Sequence, residues 1–248
     1  MAASDDDRIL VYDVSDRRLV RQVNLSANDK PSRLLVNEID NELYVLNTGS
    51  NSLSTVDLQS YQEVDRQSVG DQPQAMALDE STGKLYVTSN NAREIGIYDR
   101  AARTMGVSYS ISGAPGELVF NSLDGLMIVA LESQRVLQVL DANTGNQRAI
   151  LTICSQATGL ALNPTTQQVF AALGDCREIG VFRPEDEVNL GRIRLSDEPG
   201  LMSLDPEYRR LLVTLPATDR VAFVNINSKR VEGEIEVGDG PYQVVILD

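Results

Sequence analysis

Three arginines, Arg93, Arg135 and Arg177, recur at intervals of 42 residues, and four aspartates, Asp29, Asp71, Asp197 and Asp239, share one register of the same interval. The planar guanidinium fork suits carboxylate, phosphate or sulfate groups, so the arginines are a candidate anion-binding set. The aspartates could hold a cation such as calcium, or a basic partner. Each series also has a plainer reading. Aspartate and glycine are good turn residues before proline. An exposed arginine also pairs readily with a neighbouring acid, such as Glu94 or Glu178. Two cysteines, Cys154 and Cys176, complete the reactive side chains.

What is missing narrows the chemistry further. The chain has no histidine, which excludes imidazole general bases, Ser-His-Asp triads and histidine-bound metals. It has no tryptophan, the best aromatic platform for a sugar or cation. No CxxC, phosphate loop or zinc-finger spacing occurs. Carboxylate pairs such as Glu185 and Asp186 fall in acidic turns and read as solvated. No catalytic residue is assigned, and any metal is unknown.

The elements that position these side chains are set by a repeat. Residues 73–99, PQAMALDESTGKLYVTSNNAREIGIYD, hold three strand patterns separated by Ser-Thr-Gly and Asn-Asn turn signals. A fourth strand is expected near residues 105–111. Pro31, Pro73, Pro115, Pro199 and Pro241 stand 42 residues or a multiple of 42 apart, with Ala157 in the vacant place. Third strands close on Asp57, Asp99, Asp141, Arg183 and Asn225, with Asp13 in the same series; first turns are marked by Asn37, Asp79, Asn121, Asn163 and Asp205. A period of about 40 residues with four short strands predicts an all-β fold, a β-propeller of four-stranded antiparallel blades. Six repeats span residues 1–248 as one propeller domain. First strands such as Leu34-Leu35-Val36 and Leu160-Ala161-Leu162 are expected to be apolar on both faces.

Counting strand directions puts the cysteines, the aspartates and the arginines on one face of the ring. Two residues before each linking proline, or before Ala157 in its vacant place, stand Asp29, Asp71, Gly113, Ser155, Asp197 and Asp239; in the turn between second and third strands stand Asp7, Asn51, Arg93, Arg135, Arg177 and Asp219. The expected face is basic over blades two to four and acidic over the others. Cys154, in the link entering blade four, and Cys176, in the second turn of that blade, can be neighbours and form a disulfide.

Tyr44-Val45-Leu46-Asn47 and Tyr86-Val87-Thr88-Ser89-Asn90 resemble the YVTN repeat of bacterial and archaeal surface and periplasmic propellers, with Val-Gly-Asp-Gln-Pro ending at Pro73 and Val-Gly-Asp-Gly-Pro ending at Pro241 as links. The resemblance covers the whole chain. It implies a binding or scaffold protein, with sugar-lactonase relatives sharing the architecture. Copies three to five keep the strand but lose the tyrosine.

The ends bear on closure of the ring. Residues 8–26 read as third and fourth strands of a blade whose first strand is residues 242–248, while only Met1 to Ala3 align with its second strand. Either six blades close with an incomplete seam, or the chain is a fragment of a longer one; the resemblance implies seven blades in many relatives. The net charge of −14 argues against a general nucleic-acid or anionic-membrane surface, and no apolar run reaches a membrane span. Residues 1–7 carry no signal-peptide core. A disulfide would indicate a periplasmic or extracellular protein; free cysteines would indicate the cytoplasm.

Three functions fit. The first is a non-catalytic interaction module that takes a protein or a small anionic ligand on its loop face. The second is a lactonase-like or other metal-assisted hydrolase, and the third a structural surface-layer or adhesion repeat.

Overall fold

In the computed structural model, residues 1–244 are described. The chain forms two compact units, Met1–Gly116 and Glu117–Asp248. Apart from two single 3-10 turns, Ser4–Asp6 and Pro216–Thr218, regular structure among the described residues is strand.

The first unit holds a terminal blade (Ala2–Ala3, Arg8–Asp13, Arg18–Asn24), blade one (Pro31–Asn37, Glu42–Asn47, Ser52–Asp57, Gln62–Ser68) and blade two (Pro73–Asp79, Lys84–Ser89, Glu94–Asp99, then Thr104–Met105 and Tyr109–Ser110). Blade three follows (Ala114–Asn121, Leu126–Glu132, Val136–Asp141, Gln147–Thr152), its first strand starting in the first unit and the rest lying in the second, which also holds blade four (Ala157–Asn163, Gln168–Leu173, Glu178–Arg183, Val188–Arg194) and blade five (Met202–Asp205, Arg210–Leu215, Arg220–Asn225, Arg230–Glu236). Each sheet is an antiparallel meander in chain order. These are propeller blades, the fold class that the period predicts.

Turn chemistry sets the ends of the strands. Apart from Arg183, the marked residues close the first and third strands with side-chain oxygens that accept the amide two or three residues on. Asn163 Oδ1 accepts from Thr165 and Thr166, and Asp57 Oδ1 from Ser60 at 2.6 Å. These local turns stop each strand without a long-range contact.

Two expectations are amended. The second strand, and not the first, is buried most completely: Lys84–Ser89 and Gln168–Leu173 are buried after their first residue, whereas Pro73–Asp79 alternates buried and half-buried positions. A second strand has sheet neighbours on both sides and covered faces, so it is where a β-branched or aromatic run gains most from burial. The fourth strand of blade two is split at Gly106 into two pieces, both paired with Glu94–Asp99. Met1 to Ala3 do supply a second strand to the terminal blade, with Ala2 opposite Ile9 and Ala3 opposite Arg8. Of its expected first strand, residues 245–248 lie outside the described residues.

The tyrosines of the repeat are packing groups. Tyr44 and Tyr86 are buried, and Ile128 and Phe170 fill the same register equally buried in the second unit. Tyr44 meets Tyr98 edge to face with centroids 6.1 Å apart, and its hydroxyl donates to Glu42 at 3.0 Å. Burial pushes the Tyr86 hydroxyl up to about 12, so it stays neutral across the physiological range.

Thr88 ties neighbouring strands together at this level. Its buried hydroxyl accepts from Ala75 N at 3.0 Å and donates to Gly116 O at 2.8 Å. Thr88→Val keeps the volume but strands both backbone groups, and should lower stability by about 1–3 kcal/mol. Denaturant midpoints check this, with Thr88→Ser as the variant that keeps the hydroxyl. An unchanged midpoint for the valine variant would show that the hydroxyl does not hold these strands.

Candidate functional site

The turn between the second and third strands is built the same way in every blade. Asp7, Asn51, Arg93, Arg135, Arg177 and Asp219 all adopt left-handed backbone, with φ between 50° and 56°. Their carbonyls each accept an amide from the end of the fourth strand: Leu25, Val69, Ile111, Ile153, Leu195 and Val237, at 2.8–3.0 Å. The backbone of this turn therefore carries the link to the next repeat.

Side chains divide the six turns into two kinds. In three, an oxygen of the turn residue also accepts amides of the link. Asp7 takes Asn28 N at 2.7 Å and Lys30 N at 2.8 Å, Asn51 takes Gln72 N at 3.1 Å, and Asp219 takes Gly240 N at 2.7 Å. Aspartate and asparagine are also the residues that tolerate left-handed backbone best after glycine. In the other three, arginine stands in their place, without a side-chain acceptor and at a strained backbone position. Arg93, Arg135 and Arg177 are all exposed.

The aspartate series does not act as one open acidic group. Asp29 is fully buried and gripped by Arg66, with Nη1 to Oδ1 at 2.8 Å and Nη2 to Oδ2 at 2.7 Å. Ser26 N adds a third bond at 2.8 Å. Burial alone would raise the Asp29 carboxyl, but the hydrogen bonds and charge of Arg66, with help from Ser50 and Ser26, outweigh it and hold the carboxyl below its ordinary value. Asp71 is exposed and accepts from the amides of Asn51 and Asn91 at 3.0 and 2.9 Å. Asp197 lies 3.6 Å from Arg177 Nη2. Asp239 is exposed.

These pairs link the two series. The turn residue and the aspartate twenty positions later share one edge of a blade, as in Asn51 with Asp71 and Arg177 with Asp197. Gly113 and Ser155 occupy the aspartate's place after Arg93 and Arg135. Among the described residues, neither of those arginines has a side-chain hydrogen bond or ion pair.

Cys154 and Cys176 form a disulfide, S–S 2.06 Å, with Cα atoms 6.4 Å apart. It staples the link into blade four to the second turn of that blade. Missed in the sequence were its neighbours. Glu178, buried at the start of the third strand, lies 3.4 Å from Cys154 Sγ through Oε1 and 3.4 Å from Arg192 Nη1 through Oε2. Also missed was a polar cavity of about 590 Å³ in the first unit, where Arg100 pairs with Asp40 at 2.8 Å and Arg103 with Glu42 at 2.7 Å. Neither cluster repeats at 42 residues, so the period does not mark it.

The geometry defines a β-propeller with exposed arginines on one turn of consecutive repeats and no histidine-based machinery. The chain is similar in fold to a Kuenenia stuttgartiensis hydrazine synthase chain, with a TM-score of 0.65 over 87% of this chain and 89% of that one at 12% identity. At that identity the likeness concerns fold alone, and 1553 solved chains match the structure, so the architecture does not single out an activity. No family model matches the sequence, and no curated protein does. No helix among the described residues is long and apolar enough to cross a membrane.

Proposed function

We propose that the protein is a non-catalytic binding module of the YVTN-repeat type that recognises an anionic group, on a protein or a small molecule, through the arginine-bearing turns. One observation supports this reading above others. At Arg93, Arg135 and Arg177 the chain forgoes the aspartate or asparagine that closes the same turn elsewhere, and presents an exposed guanidinium from a strained backbone instead. Left-handed backbone recurs in other turns, at Arg17, Arg103 and Arg209 among them, so what sets these three positions apart is the exposed guanidinium standing where the closing acceptor would be. The disulfide supports residence in an oxidising compartment, the periplasm or cell surface.

The stability side of the proposal has its own expected result. Arg135→Asn relieves the left-handed backbone and sets an acceptor toward Gln156 N, the register equivalent of the Asn51 to Gln72 bond. It should stabilise the protein by about 0.5–1 kcal/mol, read as a rise of roughly 1–4 °C in the unfolding midpoint. A lower midpoint would mean that Arg135 serves the fold.

Binding is tested on the triple variant Arg93→Asn, Arg135→Asn, Arg177→Asn against immobilised phosphorylated, sulfated and carboxylate-rich peptides. Saturable binding by the wild type that weakens at least about tenfold in the variant is expected. Equal binding by both proteins, or none by either, would overturn the assignment. Calcium-dependent turnover of a lactone would replace it with the hydrolase reading.

A further inference from the structure

Glu178 is placed oddly for a carboxylate beside a structural disulfide. It is 8% exposed, and a disulfide sulfur has no proton to offer it. Its ion-pair partner is Arg192, loosely held at 3.4 Å and itself largely exposed, and the residue opposite it on the fourth strand is the exposed Arg194. Buried carboxylates are otherwise matched by close donors or cations.

What Glu178 does match is the sulfur pair. Cys154 Sγ, Cys176 Sγ and a Glu178 carboxylate oxygen all lie within 4.8 Å of one another, and among the described residues no other group of three such ligand atoms is so close. Tetrahedral zinc with bonds of about 2.3 Å to sulfur and 2.0–2.2 Å to oxygen sets neighbouring ligand atoms roughly 3.5–3.8 Å apart. The Cys154 Sγ to Glu178 Oε1 separation is already 3.4 Å. Cα atoms 6.4 Å apart leave the two sulfurs room to separate from bonding distance to a zinc edge by rotation of the side chains. A cavity of about 320 Å³, lined by Cys154, Glu178, Gly180, Phe182 and Arg192, adjoins the sulfur and gives a fourth ligand its place. Gly180 lets the Phe182 ring lie against the strand, because a Cβ there would come within 2.5 Å of that ring.

We propose that Cys154, Cys176 and Glu178 form a redox-gated site for one zinc ion, closed while the disulfide is intact and opened by its reduction. A dithiol reductant delivers two electrons and two protons to the disulfide, giving two thiols and its own cyclic disulfide. Zinc then displaces both thiol protons to solvent and takes the two sulfurs and one carboxylate oxygen, with water in the fourth position. Two thiolates and a carboxylate around Zn²⁺ leave one net negative charge, which Arg192 is placed to balance from the outer shell. The mixed sulfur and oxygen set favours zinc over calcium or magnesium, which take oxygen ligands only.

The test uses the full chain, reduced by a phosphine under anaerobic conditions and titrated with Co²⁺ as a spectroscopic stand-in for zinc. Expected is one equivalent bound, with thiolate-to-cobalt charge transfer and the intense visible bands of a tetrahedral site, both lost on adding Zn²⁺. The oxidised protein should show neither. Cys176→Ser should abolish the charge transfer, and Glu178→Gln should weaken binding by more than the roughly tenfold that even outer-shell partners are worth. Absence of the tetrahedral spectrum in reduced wild type, or unchanged affinity in Glu178→Gln, would overturn the site. A measurement on the wild type alone guards against variants that fail to fold: zinc should raise the unfolding temperature of the reduced protein and not of the oxidised one, and equal shifts would count against the proposal.

Discussion

Arg66→Met should destabilise the protein by about 3–5 kcal/mol, the cost of leaving a buried carboxylate without its counter-charge. Asp29 is the group at risk. Its side chain is 1% exposed, and after Arg66 goes, Ser26 N and Ser50 are the donors left to it. Arg66 can better endure the reverse change, because it is 30% exposed and keeps Glu63, 2.8 Å from its Nε. Asp29→Asn should therefore cost less than Arg66→Met. The pH dependence separates charge from packing. Since the folded protein holds the Asp29 carboxyl below its ordinary value, the pair's contribution is in place above the unfolded value near 4, and is lost as pH falls through the lower folded value. In Arg66→Met the burial that remains pushes the carboxyl up, so the proton that binds it there helps the fold. The gap between the two proteins should be widest near neutral pH and narrow below about pH 4. Denaturant midpoints from pH 7 down to pH 3 check this; a gap independent of pH would show that Arg66 acts through packing alone.

Local turn chemistry made most of the fold legible in the sequence. Asn37, Asp79, Asn121, Asn163 and Asp205 close first strands because a short acceptor can bond the backbone two or three residues on, a cause that sits within a few residues and repeats with the period. The cysteine pair was legible for a related reason, since strand direction alone fixes which turns share a face. What escaped has no period. Arg66 reaches Asp29 from the fourth strand of its blade, 37 residues on, and the next repeat carries Ser108 in that place. Glu178 looked like a partner for an arginine of the turn series, and in the structure the exposed arginine it meets is Arg192, beside the disulfide. The split of blade two's fourth strand follows from Gly106, which has no side chain to pack and bonds Ile97 O at 2.7 Å where the strand breaks. The arginine turns were found by spacing, but their left-handed backbone was hidden, because arginine is not the residue from which such a conformation would be inferred.

Reduction of the Cys154–Cys176 bond should be the other large change. The two residues are 22 apart in sequence, and closing a loop of that size removes entropy from the unfolded chain worth about 3 kcal/mol. For a chain of this length that corresponds to a fall of roughly 6–12 °C in the unfolding midpoint. The loss should be local first. The bond joins the link before Ala157–Asn163 to the turn before Glu178–Arg183, so amide exchange should quicken at those ends of blade four, while the buried centre of Gln168–Leu173 stays protected. Cys154→Ala with Cys176→Ala separates the bond from the reductant: the double variant should unfold where the reduced wild type does and ignore further reductant. Chelator belongs in every buffer, because zinc bound to the freed thiols would mask the loss. A wild type whose midpoint stays put, with two thiols shown to be free by alkylation, would mean that the paired strands hold this loop without the bond, and the cysteines would then be retained for their chemistry and not for stability.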